Sequence, residues 1–574
     1  MPRKCYFRIV KQALLAALLA ACGLQAWLAL AAPVGLFNDD ALHILLARSV
    51  AHGAFALPGG PPRTDPLPGF ALLLALPARL AAPHWGRLRW LCLAAGWAAV
   101  WLSWRLARRV MSGTAALTAA FLVALNPVLM ENAGVVRPDV PFLAVSLAVL
   151  ELLAGGGFWV PALLAALASM LRPQGALLLA AVGLALWVRR GRKLALGFLA
   201  AACLPLAVWT ARNILAAGTA TDYAYSWAAR AALLRGPAAL ARHLARVVFA
   251  LFGRGLLALP KPHWLLPLAG GLAALVPAVR GGLRLARDRS QAWALAAAFY
   301  AAGVLALHLT WSVADPRYLI PLLPLAWIFL LVGTRTLWER RRAAGLVLTA
   351  ALAVLALRQD WAVLKDRRGW PQELWPETMA WIRSETPPEA RFQTMFTASL
   401  ALLAGRPAEE PPLVFNRDSW LAYCLERRIG FVHLDREVQR WGTLPPERFS
   451  VLASLPGWAR STPYAREVYR NPAEGGAIFR ISHPDPRRFL QAWALYGGAL
   501  RAWSAGAGLD AVRPRLREAA AGEPRLALPW AVLGHLAADP KEKARCLARA
   551  VELDPTLEAA REELRRAEAV SGAP

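Results

Sequence analysis

Gly35-Leu-Phe-Asn-Asp-Asp-Ala-Leu-His-Ile-Leu-Leu-Ala-Arg-Ser-Val-Ala-His-Gly53 stands directly after the first apolar segment of the chain. Two adjacent carboxylates, Asp39 and Asp40, fall where the chain should leave a lipid bilayer. Beyond them Ala41, Leu42, Leu45, Leu46 and Val50 recur at helical spacing, which predicts a short amphipathic helix lying along the interface. A carboxylate pair at a membrane boundary is costly unless it meets water, a cation or a partner. The local alternative is that Asn38, Asp39 and Asp40 cap the helix, since their side chains accept hydrogen bonds from its first free N–H groups.

The rest of the chain places this stretch in a polytopic membrane protein. Of 574 residues 57% are hydrophobic and 18% charged, and the mean hydropathy is +0.39. Apolar runs recur at close to the ~20 residues that a helical span requires. The net charge of +28 does not point to nucleic acid, because the arginines cluster at the ends of apolar runs, where basic residues set orientation. Six cysteines, at 5, 22, 92, 203, 424 and 546, show neither disulfide nor zinc spacing.

Arg3, Lys4, Arg8 and Lys11 precede the first apolar run, so its N-terminal end is expected in the cytoplasm and Asp39 outside. The run continues ten residues beyond Cys22, which favours an uncleaved span over a signal peptide or lipoprotein site. Phe70 to Ala82 is short for a span and reads as a second interfacial or re-entrant helix. Later spans are expected at about 90–104, 114–130, 140–154, 158–171, 175–188, 194–211, 291–310, up to 333, and 343–357. One further crossing falls within 247–280, interrupted by Pro260-Lys261-Pro262-His263. The tally is eleven spans, with the C-terminal part outside. An outer segment following Arg212 carries Asp222, Tyr223, Tyr225 and Trp227.

The expected fold is therefore mainly α: a transmembrane core over 1–357, a small α/β extracytoplasmic domain over 358–486, and a helical region over 487–574. Within the last, Trp530-Ala-Val-Leu533-Gly534 and Ala550-Val-Glu-Leu-Asp554-Pro555 resemble one tetratricopeptide repeat, a packing appendage or a small protein-docking surface. His433, Asp435 and Asp418 read as surface groups of loops and strands.

The polar clusters at span ends all fall on one side: Asp39/Asp40, Asp65, Glu131/Arg137/Asp139, Arg172, Arg212 and His308/Asp315/Arg317/Tyr318. Such a set suits a reaction on a lipid-linked phosphate. A carboxylate can take the proton of an acceptor hydroxyl. Arginines can stabilise a leaving phosphate, which their planar fork matches. The bland reading of each arginine is orientation or headgroup contact.

Asp39-Asp40-Ala41-Leu42-His43 resembles the Asp-Glu-Ala-x-Tyr start of GT-C glycosyltransferases of the protein O-mannosyltransferase and aminoarabinose-transferase branch. Thr64-Asp65-Pro66-Leu67-Pro68-Gly69-Phe70 resembles its Lys-Pro-Pro-Leu or Pro-Pro-Gly-Tyr stretch, and Arg89 stands near its Arg-Leu. Val136-Arg137-Pro138-Asp139 is similar to its later outer Asp, and Leu171-Arg172-Pro173-Gln174-Gly175 to its Thr-Arg-Pro-Glu-Gly element. Arg317-Tyr318-Leu319-Ile320-Pro321 resembles its Arg-Tyr-Leu-x-Pro element. The likeness covers about residues 10–335, in the same order. His43 replaces a Tyr, Gln174 replaces a Glu, and Arg63 is the nearest base to a missing Lys. These departures bear on donor and acceptor identity.

The resemblance implies an inverting transfer of a sugar from a polyprenyl phosphate to a lipid, polysaccharide or protein acceptor outside the cytoplasm, and the Ala, Leu, Arg and Pro bias of the chain points to a bacterial inner membrane. It implies Asp39 or Asp40 as the general base, a fold-level inference. It also implies donor or substrate contacts from His43, Arg63, Asp65, Arg137, Asp139, Arg172, Arg212, Arg317 and Tyr318. No cofactor is expected, though Asp39 and Asp139 leave room for a divalent cation. Readings from other classes are a transporter of lipid-linked solute and a non-catalytic scaffold derived from this fold.

Overall fold

Apolar helices dominate the computed structural model, which describes residues 3–58, 60–219, 236–259, 265–288, 291–309, 315–335, 342–367, 374–412, 414, 416–435 and 455–571. Asp222, Tyr223, Tyr225, Trp227 and Pro260–His263 lie outside the described residues. The chain divides into two compact units, Met1–Gln372 and Glu373–Pro574.

The first unit begins with α1 (Arg3–Leu30), α2 (Asp39–Val50), α3 (Gly69–Ala81), α4 (Arg89–Arg108) and α5 (Gly113–Ala124). There follow α6 (Pro127–Ala133), α7 (Asp139–Ala154), α8 (Trp159–Leu171), α9 (Gln174–Arg190) and α10 (Arg192–Ala217). The unit is completed by α11 (Pro237–Val247), a π-helical stretch Val248–Leu256, α12 (Leu265–Arg287), α13 (Ala292–Leu309), α14 (Leu323–Gly333) and α15 (Arg342–Arg367). Among the described residues seven helices are long and apolar enough to cross a membrane, eight if the bent pair α5–α6 counts as one span. This is a multi-pass membrane protein. Eleven spans were expected. The difference lies mainly in α7, α8 and α9, of 16, 13 and 17 residues, each short of the ~20 that a single crossing needs.

Local sequence explains the breaks. Asn126 accepts a hydrogen bond from Val128 N at 3.0 Å, and Pro127 opens α6 at the first helical position; α5 and α6 meet there at 58°. Gly155–Gly157 turns α7 back into α8. The α3 helix exposes Leu72, Leu76 and Leu80 along one face, as a helix lying in lipid does, and buries Phe70, Leu74 and Ala78 on the other. Close helix contact in the core needs glycine: a Cβ on Gly281 of α12 would stand 1.8 Å from Phe329 O of α14. At their C-terminal ends α4 and α7 are tied by Arg105 and Arg109, both bonded to Glu151 at 2.9 Å.

The second unit holds a five-stranded sheet, β1 (Phe392–Gln393), β2 (Ala408–Glu409), β3 (Phe431–Leu434), β4 (Ala465–Asn471) and β5 (Gly476–Ile481). Their order is β2-β1-β3-β5-β4. The first three run parallel and the β3–β5 and β5–β4 pairs antiparallel. Helices α16 (Pro376–Glu385), α17 (Thr397–Ala404) and α18 (Arg417–Glu426) accompany the sheet; α19 (Pro486–Ser504), α20 (Leu509–Gly522), α21 (Ala527–Leu536), α22 (Pro540–Leu553) and α23 (Glu558–Ser571) follow it. Sheet and following helices share one core, in which Val432, Phe479 and Trp420 pack with Phe489, Ala492 and Leu526.

His433, Asp435 and Asp418 are buried, not surface groups. Asp418 Oδ2 accepts from Ala527 N at 2.6 Å and Leu528 N at 2.9 Å, so it caps the start of α21. His433 lies under Trp375, ring centroids 4.9 Å apart.

Candidate active site

The turn between α1 and α2 sets the position of the first carboxylates. Gly35 (φ 91°) and Asn38 (φ 59°) both lie in the left-handed region, which glycine adopts freely and asparagine tolerates. The Asn38 side chain does not cap the helix. Asp40 instead reaches back: its Oδ2 accepts from Gly35 N at 2.7 Å and its Oδ1 from Phe37 N at 3.4 Å. Asp40 therefore closes the turn before the helix and does not cap the helix itself. Burial pushes its carboxyl above the ordinary carboxylate range, opposed by the Gly35 N–H and by Arg137.

Asp39 has a different setting. Its side chain is 51% exposed. Its Oδ2 stands 3.7 Å from Arg137 Nη2 and 3.6 Å from Arg317 Nη1. Arg137 is buried and lies over the Phe37 ring, 3.9 Å from its centroid, a cation–π contact. One turn thus supplies the carboxylate, the ring beneath its arginine partner, and the Asp40 lock.

X-Pro steps place the other charged groups. Arg172 precedes Pro173 and is extended (φ −149°, ψ 149°), which stops α8 and leaves the guanidinium at the α8–α9 junction. There it pairs with Asp139 at the start of α7 and donates to Gln174 Oε1 at 3.2 Å. Asp315 precedes Pro316 and is also extended; its Oδ1 accepts from Arg317 N at 2.9 Å. Arg317 also donates to Tyr318 Oη at 3.5 Å. His43, one turn beyond Asp39, is buried edge-on against Phe70 with ring centroids 5.1 Å apart. Burial pushes its pKa down to about 4, so the imidazole is neutral near pH 7; Asp39, Asp139, Arg137 and Arg172 are its charged neighbours.

The structure thus gathers Asp39, His43, Arg137, Asp139, Arg172, Arg317 and Tyr318, with Asp40 behind them. Arg63, Asp65 and Arg212 form a separate knot. Arg63 Nη2 lies 3.4 Å from Asp65 Oδ1, and Arg212 Nη1 donates to Arg63 O at 2.6 Å, tying the α2–α3 loop to α10. Among the described residues no ion pair joins the two groups. Glu131 is a charged neighbour of Arg254 and Asp360. Phe37 was not singled out from the sequence, and nothing in its local pattern marks it.

The arrangement offers an accessible carboxylate beside guanidinium groups able to receive an oxyanion. It does not suit a divalent cation, because Asp39 faces two arginines and Asp139 pairs with a third. Among the described residues no three His, Cys, Asp or Glu side chains converge as metal ligands do.

No family model and no curated protein matches the chain. Solved structures do. ArnT from Cupriavidus metallidurans in the apo state superposes at a TM-score of 0.52 and 13% identity, over 84% of this chain and 100% of that one. The same protein bound to undecaprenyl phosphate gives 0.50 at 13% identity and the same coverage. The apo oligosaccharyltransferase of Archaeoglobus fulgidus reaches 0.49 at 13% identity, over 94% and 86%. At such identity a likeness shows the fold alone, and that fold this chain shares with ArnT.

Proposed function

We propose that this chain transfers a sugar from a polyprenyl-phosphate donor to an acceptor hydroxyl on the extracytoplasmic side of a bacterial inner membrane. The observation that carries the reading is Asp39: at once half exposed and bracketed by Arg137 and Arg317. Asp39 takes the proton of the acceptor hydroxyl as its oxygen attacks the anomeric carbon. The bond from that carbon to the phosphate oxygen breaks, and the polyprenyl phosphate leaves with the electron pair. Attack opposite the leaving group inverts the anomeric centre. Arg137, Arg317 and Arg172 stabilise the charge on the departing phosphate. A lipid phosphate donor is supported by ArnT, which has this fold and binds undecaprenyl phosphate.

Asp139 holds Arg172 in place, and Asp40 holds the turn from which Asp39 projects. Arg63, Asp65 and Arg212 shape the loop that enters α3, a path for the lipid or the acceptor beside the reacting atoms. The second unit, with its helical region, is the part that would select a lipid, polysaccharide or protein acceptor.

The test is transfer of radiolabelled sugar from a panel of polyprenyl-phosphate sugars in membranes containing the full chain, with Asp39→Asn alongside. Label incorporated by wild type and lost in the variant supports the reading. Equal transfer by both proteins rejects Asp39 as the base.

A further inference from the structure

His308 closes α13 and is 4% exposed. Its ring stacks on Tyr318, with centroids 5.1 Å apart and planes at 19°. Tyr318 in turn receives a hydrogen bond from Arg317, whose Nη1 faces Asp39. His243 of α11 anchors the His308 backbone carbonyl, Nε2 to oxygen at 3.1 Å. The imidazole is thus fixed at the edge of the Asp39 group, with Arg172 as its charged neighbour. Yet neither ring nitrogen has a hydrogen-bond partner, although one edge of the ring faces the Tyr318 backbone.

A buried polar atom left without a partner costs about 1–3 kcal/mol, and such atoms in a native fold call for an explanation. If His308 served only to stack on Tyr318, a phenyl ring would fill the place without that cost. A neutral imidazole carries one N–H donor and one acceptor nitrogen. A neutral donor among arginines suits an anionic oxygen.

We propose that His308 is a further donor-binding residue: its ring N–H donates to an oxygen of the polyprenyl phosphate held by Arg137, Arg172 and Arg317. This rests on the sugar-transfer reading given above and names one contact of that same site. His308 therefore bears on donor affinity, not on proton removal.

The probe is undecaprenyl phosphate, titrated against the purified full-length protein in detergent and followed by native mass spectrometry, beside wild type. His308→Phe keeps the aromatic stack and removes both nitrogens. His308→Gln gives up the stack and keeps a side-chain N–H. The expected result is at least tenfold weaker binding for His308→Phe, with an unfolding temperature no lower than that of wild type, and near-wild-type binding for His308→Gln. Where a transfer assay is in place, KM for the donor rises while kcat holds. Wild-type affinity in His308→Phe overturns the proposal. So does an equal loss in both variants, which would mean that an N–H at this position does not by itself hold the donor. Should His308→Phe not fold, His308→Leu is set against His308→Gln, both without the stack: weaker binding in His308→Leu alone supports the contact, and equal binding in the two overturns it. A wild type that binds no polyprenyl phosphate overturns the sugar-transfer reading and this contact with it, whereas wild-type binding with an insensitive His308 overturns only the contact.

Discussion

Asp39 and Asp40 are neighbours in sequence and point their carboxylates at different partners: Asp39 at the guanidinium groups of Arg137 and Arg317, Asp40 at the N–H groups of Gly35 and Phe37. The two should therefore fail differently. Asp39→Asn should lower transfer by about 10²–10⁴, the range a general base contributes, with no loss of stability, since the side chain is half exposed. Asp40→Ala should destabilise the first unit by about 1–3 kcal/mol, because buried N–H groups lose their acceptor. Thermal unfolding beside transfer rates separates the two. Equal stability in both variants would refute the division of roles.

Arg172 and Asp139 offer a second separation. Asp139 is buried and Arg172 nearly so, hence removing one partner strands the other's charge. Arg172→Ala should cost about 3–5 kcal/mol. Replacing both, as Arg172→Met with Asp139→Asn, should recover much of that stability without restoring transfer. A double-mutant cycle on unfolding free energy measures the coupling; additive single effects would show that the pair does not act as one.

Much of this site could be read from the chain before any coordinates. Apolar run length and arginine placement mark the helices, and the prolines after Arg172 and Asp315 mark the breaks that deliver those side chains. The division of labour between Asp39 and Asp40 could not be read, because it depends on left-handed backbone at Gly35 and Asn38, which redirects Asp40 away from the helix. The separation of Arg63, Asp65 and Arg212 from the Asp39 group is likewise a matter of which loop meets which helix. In the second unit, Asp418, His433 and Asp435 sit in polar-looking stretches. They are buried because helices pack over the sheet, a long-range fact that local pattern does not contain.

His433 gives the second unit a pH dependence of definite sign. Burial pushes its pKa down to about 4, against an unfolded value of about 6.5. Between those values the unfolded chain holds the extra proton, so stability rises with pH across that window and is level above it. Each pH unit lost there costs up to about 1.4 kcal/mol. His483 is shifted in the same direction, so the diagnostic is a difference. Unfolding of the full chain at pH 7.5 and pH 5, wild type against His433→Gln, should show a smaller acid penalty in the variant. An identical penalty would assign the acid sensitivity elsewhere.

Arg417 joins α18 to the helical region. Its guanidinium is buried, 3.3 Å from Asp418 Oδ1, donates to the Leu553 carbonyl, and stands 3.9 Å from Asp554 Oδ2. Asp418 in turn caps α21. Arg417→Ala therefore leaves two carboxylates buried without their cation, a loss of about 3–5 kcal/mol. Lysine should not rescue it, because one ammonium cannot reproduce the planar fork that meets Asp418 and the Leu553 carbonyl together. Limited proteolysis of the intact protein reads the result directly. If α21 to α23 are built into the core of the second unit, Arg417→Ala should open both the helical region and the sheet to cleavage. Cleavage confined to 527–571, with the sheet still protected, would instead mean that the repeat-like helices are an independent appendage.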